Sequence, residues 1–250
     1  MSITDDKWNL FNFIQVAQDT TTETLKSLPE ALEYLNQVDL LFREYISNAG
    51  NLSSPIAAVL LMNAHASYRA ATRLTISGQL PPVFMALRGV IESALYANAM
   101  VIEKNLQGIW LQRHRDEEAR NRCKNSFTTK QLFKHLKIAH DSEFVIMIKD
   151  HYDSTIDFGA HPNNRSLLSH IRLTELKSGT HAVELAYLHG FRSIEMRQCL
   201  VACAEVGLAV MFIMLACAPN HPARVELNKR TVVLHDDLSR LIATLGLKLT

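Results

Sequence analysis

Arg88 and Glu92 stand four residues apart in a stretch, Val83 to Tyr96, that is apolar on almost every side. On a helix that spacing puts both side chains on one face, where a guanidinium and a carboxylate offset each other's desolvation. The pair reads either as a buried ion pair that fixes helix packing or as one side of a polar pocket in a bundle core. His65, Arg69 and Arg73 recur at the same interval on another stretch, and Glu205 is the lone carboxylate between Leu200 and Ala218. Arg88, Glu92, Arg69 and Glu205 are therefore the candidate ligand-binding set, and with Arg73 three Arg and two Glu could converge.

His161 closes a second series, Asp153, Asp157 and His161, that could present ligands on one helix face. Gly159 and Pro162 predict that the helix stops before it, which leaves His161 as an exposed loop residue able to meet a ligand. A metal centre is not expected. Carboxylate-bridged di-iron bundles need Glu-x-x-His pairs on two helices, and the chain has none. Cys123, Cys199, Cys203 and Cys217 lack a second pair at metal-ligand spacing and read as reduced core residues. No phosphate-binding Gly loop, G-x-S-x-G elbow, H-E-x-x-H or EF-hand loop occurs, so neither a cofactor nor a common hydrolytic chemistry is indicated.

The elements that must position these residues are helices. Only 9 Gly and 7 Pro punctuate 250 residues, and they fall between long apolar-periodic runs rather than every few residues. Residues 1–28 predict a short helix and a Thr-rich connector, an N-terminal arm; residues 29–250 predict one helical-bundle domain. Within it, helices are expected from Pro29 to Gly50, from Pro55 to Gly78, from Val83 to about Asn105, from Ser142 to Phe158 and from Gly190 to Ala218. Thr128 and Gln131 stand in capping-box spacing before Leu132, and a last amphipathic helix runs from Pro222 towards Gly246. Residues 165–188 break the pattern: alternation at Val183, Leu185 and Tyr187 beyond the turn signal Lys177 to Thr180 predicts a small β-hairpin insertion in a mainly all-α fold.

Leu200 to Ala218 is long enough to span a bilayer, but it is rich in Ala and Cys, carries Glu205 and has no Trp or Tyr belt, so a central buried helix is expected and no membrane partner. Met1 to Asp6 shows no signal-peptide pattern, which implies a cytoplasmic protein. A formal charge of +1 gives no electrostatic case for nucleic acid; the basic stretch Arg113 to Lys124 is interleaved with Asp116, Glu117 and Glu118 and reads as a solvated helix.

The run Ala86 to Ala94 with its R-x-x-x-E core, the segment Tyr152 to Asn163 with His161-Pro162, the hairpin and the apolar helix together resemble a group of uncharacterised bacterial helical proteins. That group has an R-x-x-x-E helix, an "HP" loop and a core likened to the HEPN (higher eukaryotes and prokaryotes nucleotide-binding) superfamily. The resemblance covers roughly residues 55 to 218. It implies an alternative function, because many HEPN proteins are metal-independent ribonucleases of stress or phage-defence systems in which an Arg and a His four to six residues apart act from both subunits of a dimer. Histidine can move protons near neutral pH while Arg stabilises phosphate charge. Arg165 with His170 and Arg230 with His235 have that spacing and are the candidate catalytic residues. Chance alone gives about two such pairs in a chain with this many Arg and His, so the spacing does not select them.

Two functions follow. The favoured one is a non-catalytic helical protein that binds a small ligand or a protein partner; the alternative is a HEPN-like ribonuclease with RNA as its substrate. A homodimer is open under either. In strand conformation Arg165 and His170 would point to opposite faces, so they are expected to diverge, and Arg230 and His235 are the better-placed pair.

Overall fold

The computed structural model describes residues 9–48, 54–160, 171–175, 181–185 and 188–248. His161, Arg165 and His170 lie outside them. The fold is all-α. In chain order the elements are α1 (Leu10–Ser27), α2 (Pro29–Ser47), α3 (Pro55–Ile76), α4 (Val83–Ile102), α5 (Asn105–Leu111), α6 (Glu117–Ser126), α7 (Thr129–Ala139), α8 (Ser142–Thr155), β1 (Ile171–Glu175), β2 (His181–Leu185), α9 (Ile194–Cys217), α10 (Arg224–Asp236) and α11 (Leu238–Thr244).

Local chemistry sets most boundaries. Ser54, Asp116, Thr128, Asp141 and Ser193 cap the N-termini of α3, α6, α7, α8 and α9, each side chain accepting a backbone N–H three residues on. Pro55 occupies the first turn of α3, where its missing N–H costs nothing. The N-terminal arm differs from expectation, since helix α1 runs straight through the Thr cluster. Thr21, Thr22 and Thr24 satisfy their hydroxyls on the carbonyls of Ala17, Gln18 and Thr20, so the run need not leave the helix. The C-terminal segment also differs, because α10 ends at Asp236 and a separate short α11 begins at Leu238. Beyond Thr155 the last turn of α8 widens into a π-helical turn, Ile156–Ala160. Gly159 there lies so close to α4 that a Cβ would sit 2.8 Å from Phe84 Cβ and 2.9 Å from the Pro81 carbonyl oxygen.

Helices α2, α3, α4 and α9 form the core. From Cys199 to Cys217 helix α9 is apolar on every side save for Glu205 and has no exposed residue, as such a helix requires in a folded chain. Tyr45 donates its hydroxyl to the Met214 carbonyl at 2.7 Å and Tyr68 to Leu35 at 3.0 Å, so α2, α3 and α9 are tied by polar contacts inside the apolar mass. Between α3 and α4, Gly78 adopts φ +78° and exchanges backbone hydrogen bonds with nothing but its own turn and His189, whose N–H it accepts at 2.9 Å. A Cβ there would lie 2.3 Å from the His189 oxygen, so only Gly fits. Helices α5 to α8 lie over α4, and α1, α10 and α11 close the other side through α2, α3 and α9. β1 and β2 run antiparallel with Leu173 opposite Val183. Helices α4 and α9 are both long and apolar enough to cross a membrane by length and composition; 56% and 78% of their apolar windows are buried in this fold.

Candidate functional site

The residues singled out for ligand binding form separate contacts instead of one pocket. Arg88 and Glu92 do pair, with Nε donating to Oε1 at 2.8 Å, but their side chains are 24% and 39% exposed, at the rim of α4 and not inside the bundle. The reason is α8, which covers only part of that face and supplies a partner the sequence did not announce. Tyr152 accepts from Arg88 Nη2 at 2.9 Å, donates to Glu92 Oε1 at 3.1 Å, and lies under the guanidinium with its ring centre 5.1 Å away. These groups use one another's hydrogen bonds, so they pin α8 to α4 and leave little for a ligand.

Arg69 belongs elsewhere. Both it and His65 turn to Asp39 of α2, the guanidinium forking onto the two carboxylate oxygens at 2.7 and 2.8 Å and the imidazole Nε2 meeting one of them at 2.6 Å. Against the desolvation that raises it, hydrogen bonds from the Arg69 guanidinium and the His65 imidazole hold the Asp39 carboxyl below its usual range. Arg73 bonds Thr21 of α1. Glu205 stands apart with its carboxyl pushed up by burial. The three Arg and two Glu therefore do not converge: Arg69 and Arg73 meet partners on α2 and α1, Arg88 and Glu92 meet each other and Tyr152, and Glu205 stands alone.

Arg230 and His235 also part. Arg230 reaches back to Glu44 of α2. His235 turns to α9, its ring 6.2 Å from that of Phe212 in an edge contact. Between them, Val232 and Val233 are 39% and 58% exposed, so they do not pack on the core as their apolar character suggests.

His235 instead lines an open cleft of about 630 Å³. Its walls come from the α7–α8 turn (His140, Asp141, Glu143), α8 (Phe144, Met147), the end of α9 (Phe212, Leu215) and α10 (Arg224, Asn228, His235). Four rings run across it in sequence. His140 stacks on Phe144 at 4.3 Å, Phe144 meets Phe212 edge-on at 6.1 Å, and Phe212 meets His235. Burial depresses the His140 pKa, and its Nε2 is buried with no hydrogen-bond partner in the protein. Such an atom is costly unless something enters to satisfy it. Arg224, on the cleft wall, donates Nε to the Leu215 carbonyl at 3.3 Å, an orphan acceptor in the last turn of α9. Asp141 is spent on capping α8.

Of this lining the sequence had indicated only His235, and for another reason. His140 follows a helix and precedes an Asp-Ser start, which looks like an ordinary boundary; the signal that could have found it is the His-x-x-x-Phe spacing across that boundary. Among the described residues no three His, Cys, Asp or Glu side chains are placed to hold a metal ion. Neither a protein-family model, nor a curated protein, nor a solved structure matches this chain.

Proposed function

We propose that this is a helical binding protein whose cleft takes a small planar aromatic molecule bearing an anionic group. The observation that carries the reading is the row of four rings beside Arg224, whose Nη groups have no hydrogen-bond partner among the described residues. The cleft volume falls in the range of small-molecule sites, and a few polar groups on an otherwise apolar wall fix orientation in such sites. A flat ring stacks on Phe144 or Phe212, the anion meets Arg224, and Asn228 supplies a directional hydrogen bond. No chemical step is required of it. The depth of α9 in the core supports a core helix over a membrane span, and we take β1 and β2 to belong to a small hairpin insertion spanning residues 165–188.

Calorimetric titration with 1-naphthyl phosphate and 1-naphthoate tests this. Binding that is lost in Arg224→Met and weakened in His235→Ala is the expected result; no heat with either compound, or equal binding in Arg224→Met, sinks it.

A second reading has one observation in its favour. His140 and His235 share a cleft with Arg224, which brings together two proton carriers and a phosphate-stabilising cation, the groups a metal-independent HEPN-like ribonuclease of a stress or phage-defence system would need. Arg230, already engaged by Glu44, is a poor member of that set. RNA cleavage and growth arrest by wild type but not by His140→Ala or His235→Ala would establish it in place of the first.

A further inference from the structure

Charge is unevenly spread over this nearly neutral chain. From Asn105 to Ala139, the span of α5 to α7, eight Lys and Arg stand against three Asp and Glu, a net +5 in a chain whose total is +1. Lys130, Lys134 and Lys137 repeat at helical spacing on the solvent face of α7, opposite buried Leu132, Phe133 and Leu136. None of the three has an ion pair among the described residues. Ile138, 65% exposed, extends the same stripe.

On the far side the sign reverses. Asp19 and Glu23 of α1 and Glu30 and Glu33 of α2 are all exposed and likewise without ion pairs among the described residues, with only Lys26 between them. Helices α1 and α2 pack on α3, and α7 packs on α4, so the paired α3 and α4 separate the acidic edge from the basic row. Leu10, Phe11, Ile14 and Leu25 leave α1 with an exposed apolar stripe, which the 3.6-residue helical period sets roughly 150° round the helix from Asp19 and Glu23. The acidic edge and the basic row are complementary in sign and lie on different sides of the same molecule.

We propose that the Lys130/Lys134/Lys137 face of α7 docks the acidic α1–α2 edge of a second copy of this chain. The two surfaces differ, so the contact is head-to-tail and leaves a basic and an acidic face free at the ends. Ile138 supplies an apolar contact beside the Lys row, and the opposed charges set the register of the interface and its salt dependence.

Sedimentation equilibrium at low and high salt, about 0.02 M and 0.5 M, tests it. Wild type is expected to exceed the mass of one chain at low salt, with mass rising with concentration, and to fall to one chain at high salt. Variant A, Lys130→Glu/Lys134→Glu/Lys137→Glu, and variant B, Glu23→Lys/Glu30→Lys/Glu33→Lys, should each be monomeric at low salt with unchanged circular dichroism. Mixed together they should associate, because each then carries what the other lacks. Wild type monomeric at low salt, or a mixture of A and B that stays monomeric, overturns the proposal. So does retention of monomeric wild type on phosphatidylserine vesicles or on an RNA oligonucleotide that variant A loses, which would assign the stripe to that anion instead.

Discussion

Glu205 shows what a single residue costs when its neighbours do not meet it. Its carboxyl is pushed up by burial alone, and it in turn contributes to raising the Tyr34 phenol far above its ordinary range, after desolvation and Asp237. A folded-state value above the unfolded one means that the folded chain holds the extra proton. The stabilisation is complete below the ordinary Glu value of ~4.3 and is lost as pH rises through the raised folded value. Glu205→Gln should therefore be more stable than wild type at pH 8, and its stability should vary less between pH 5 and 8 in urea titrations; equal slopes for the two proteins would mean that Glu205 is solvated. Arg88 is the opposite case, a charge whose needs are met at a partly exposed rim. Arg88→Ala should cost about 1–2 kcal/mol, well short of the 3–5 kcal/mol of a fully buried pair, because water reaches the Glu92 that it strands. Tyr152→Phe should lose ~1 kcal/mol by removing one hydroxyl from the same triad. A denaturant series in which Arg88→Ala loses as much as a core Leu→Ala would restore the pair to the interior.

Among the elements, glycine gives a test in which one substitution changes sign with its surroundings. Gly207 in α9 faces α2 and α3, and a Cβ there would lie 2.7 Å from Val38 Cγ1 and 2.8 Å from Tyr68 Cε2. Both neighbours are fully buried, and Tyr68 is tethered through its hydroxyl to Leu35, so neither can yield. The helix propensity gained by Gly→Ala, ~1 kcal/mol, is then outweighed by overpacking of ~1–3 kcal/mol, and Gly207→Ala should destabilise. Gly108 in α5 has no atom within 4 Å of the same position, so Gly108→Ala should stabilise by about 0.5–1 kcal/mol. Thermal melts of the two variants against wild type check the signs. Helices such as these were legible in the sequence because apolar spacing and capping residues act within one segment: Ser54-Pro55 opens α3 and Thr128 opens α7 where expected. The partners were not legible. Asp39, Tyr152 and Glu44 carry no local mark of the Arg each one meets, since those pairings exist only after helices dock. The cleft was hidden for the same reason, its rings coming from three helices and a turn that look like ordinary core and boundary residues in isolation.

At the scale of the molecule, one apolar cluster running through α2, α3, α4, α7, α8 and α9 holds the fold, while the ends of the chain are lightly attached. Helix α9 is its axis. The first turns of α1 expose Leu10, Phe11 and Ile14, and the first residue of that helix to be buried is Ala17. In α11 Leu241 alone is buried. Amides open with free energies that scale with the apolar contacts an opening must break, from near zero at fraying ends to the global value in the core. Native-state hydrogen exchange should therefore rank α9, α4 and the middle of α3 as exchanging only through global unfolding, with the N-terminal half of α1 and all of α11 faster by several orders of magnitude. The same ranking separates the two readings of the longest apolar helix, because a segment whose burial depends on lipid would sit loosely in a chain kept in water. Slow exchange along the whole of α9 in detergent-free buffer fits the core helix described by its burial. Exchange in α9 as fast as in α1 would show that water reaches it without unfolding, and the membrane would then become the better explanation of its composition.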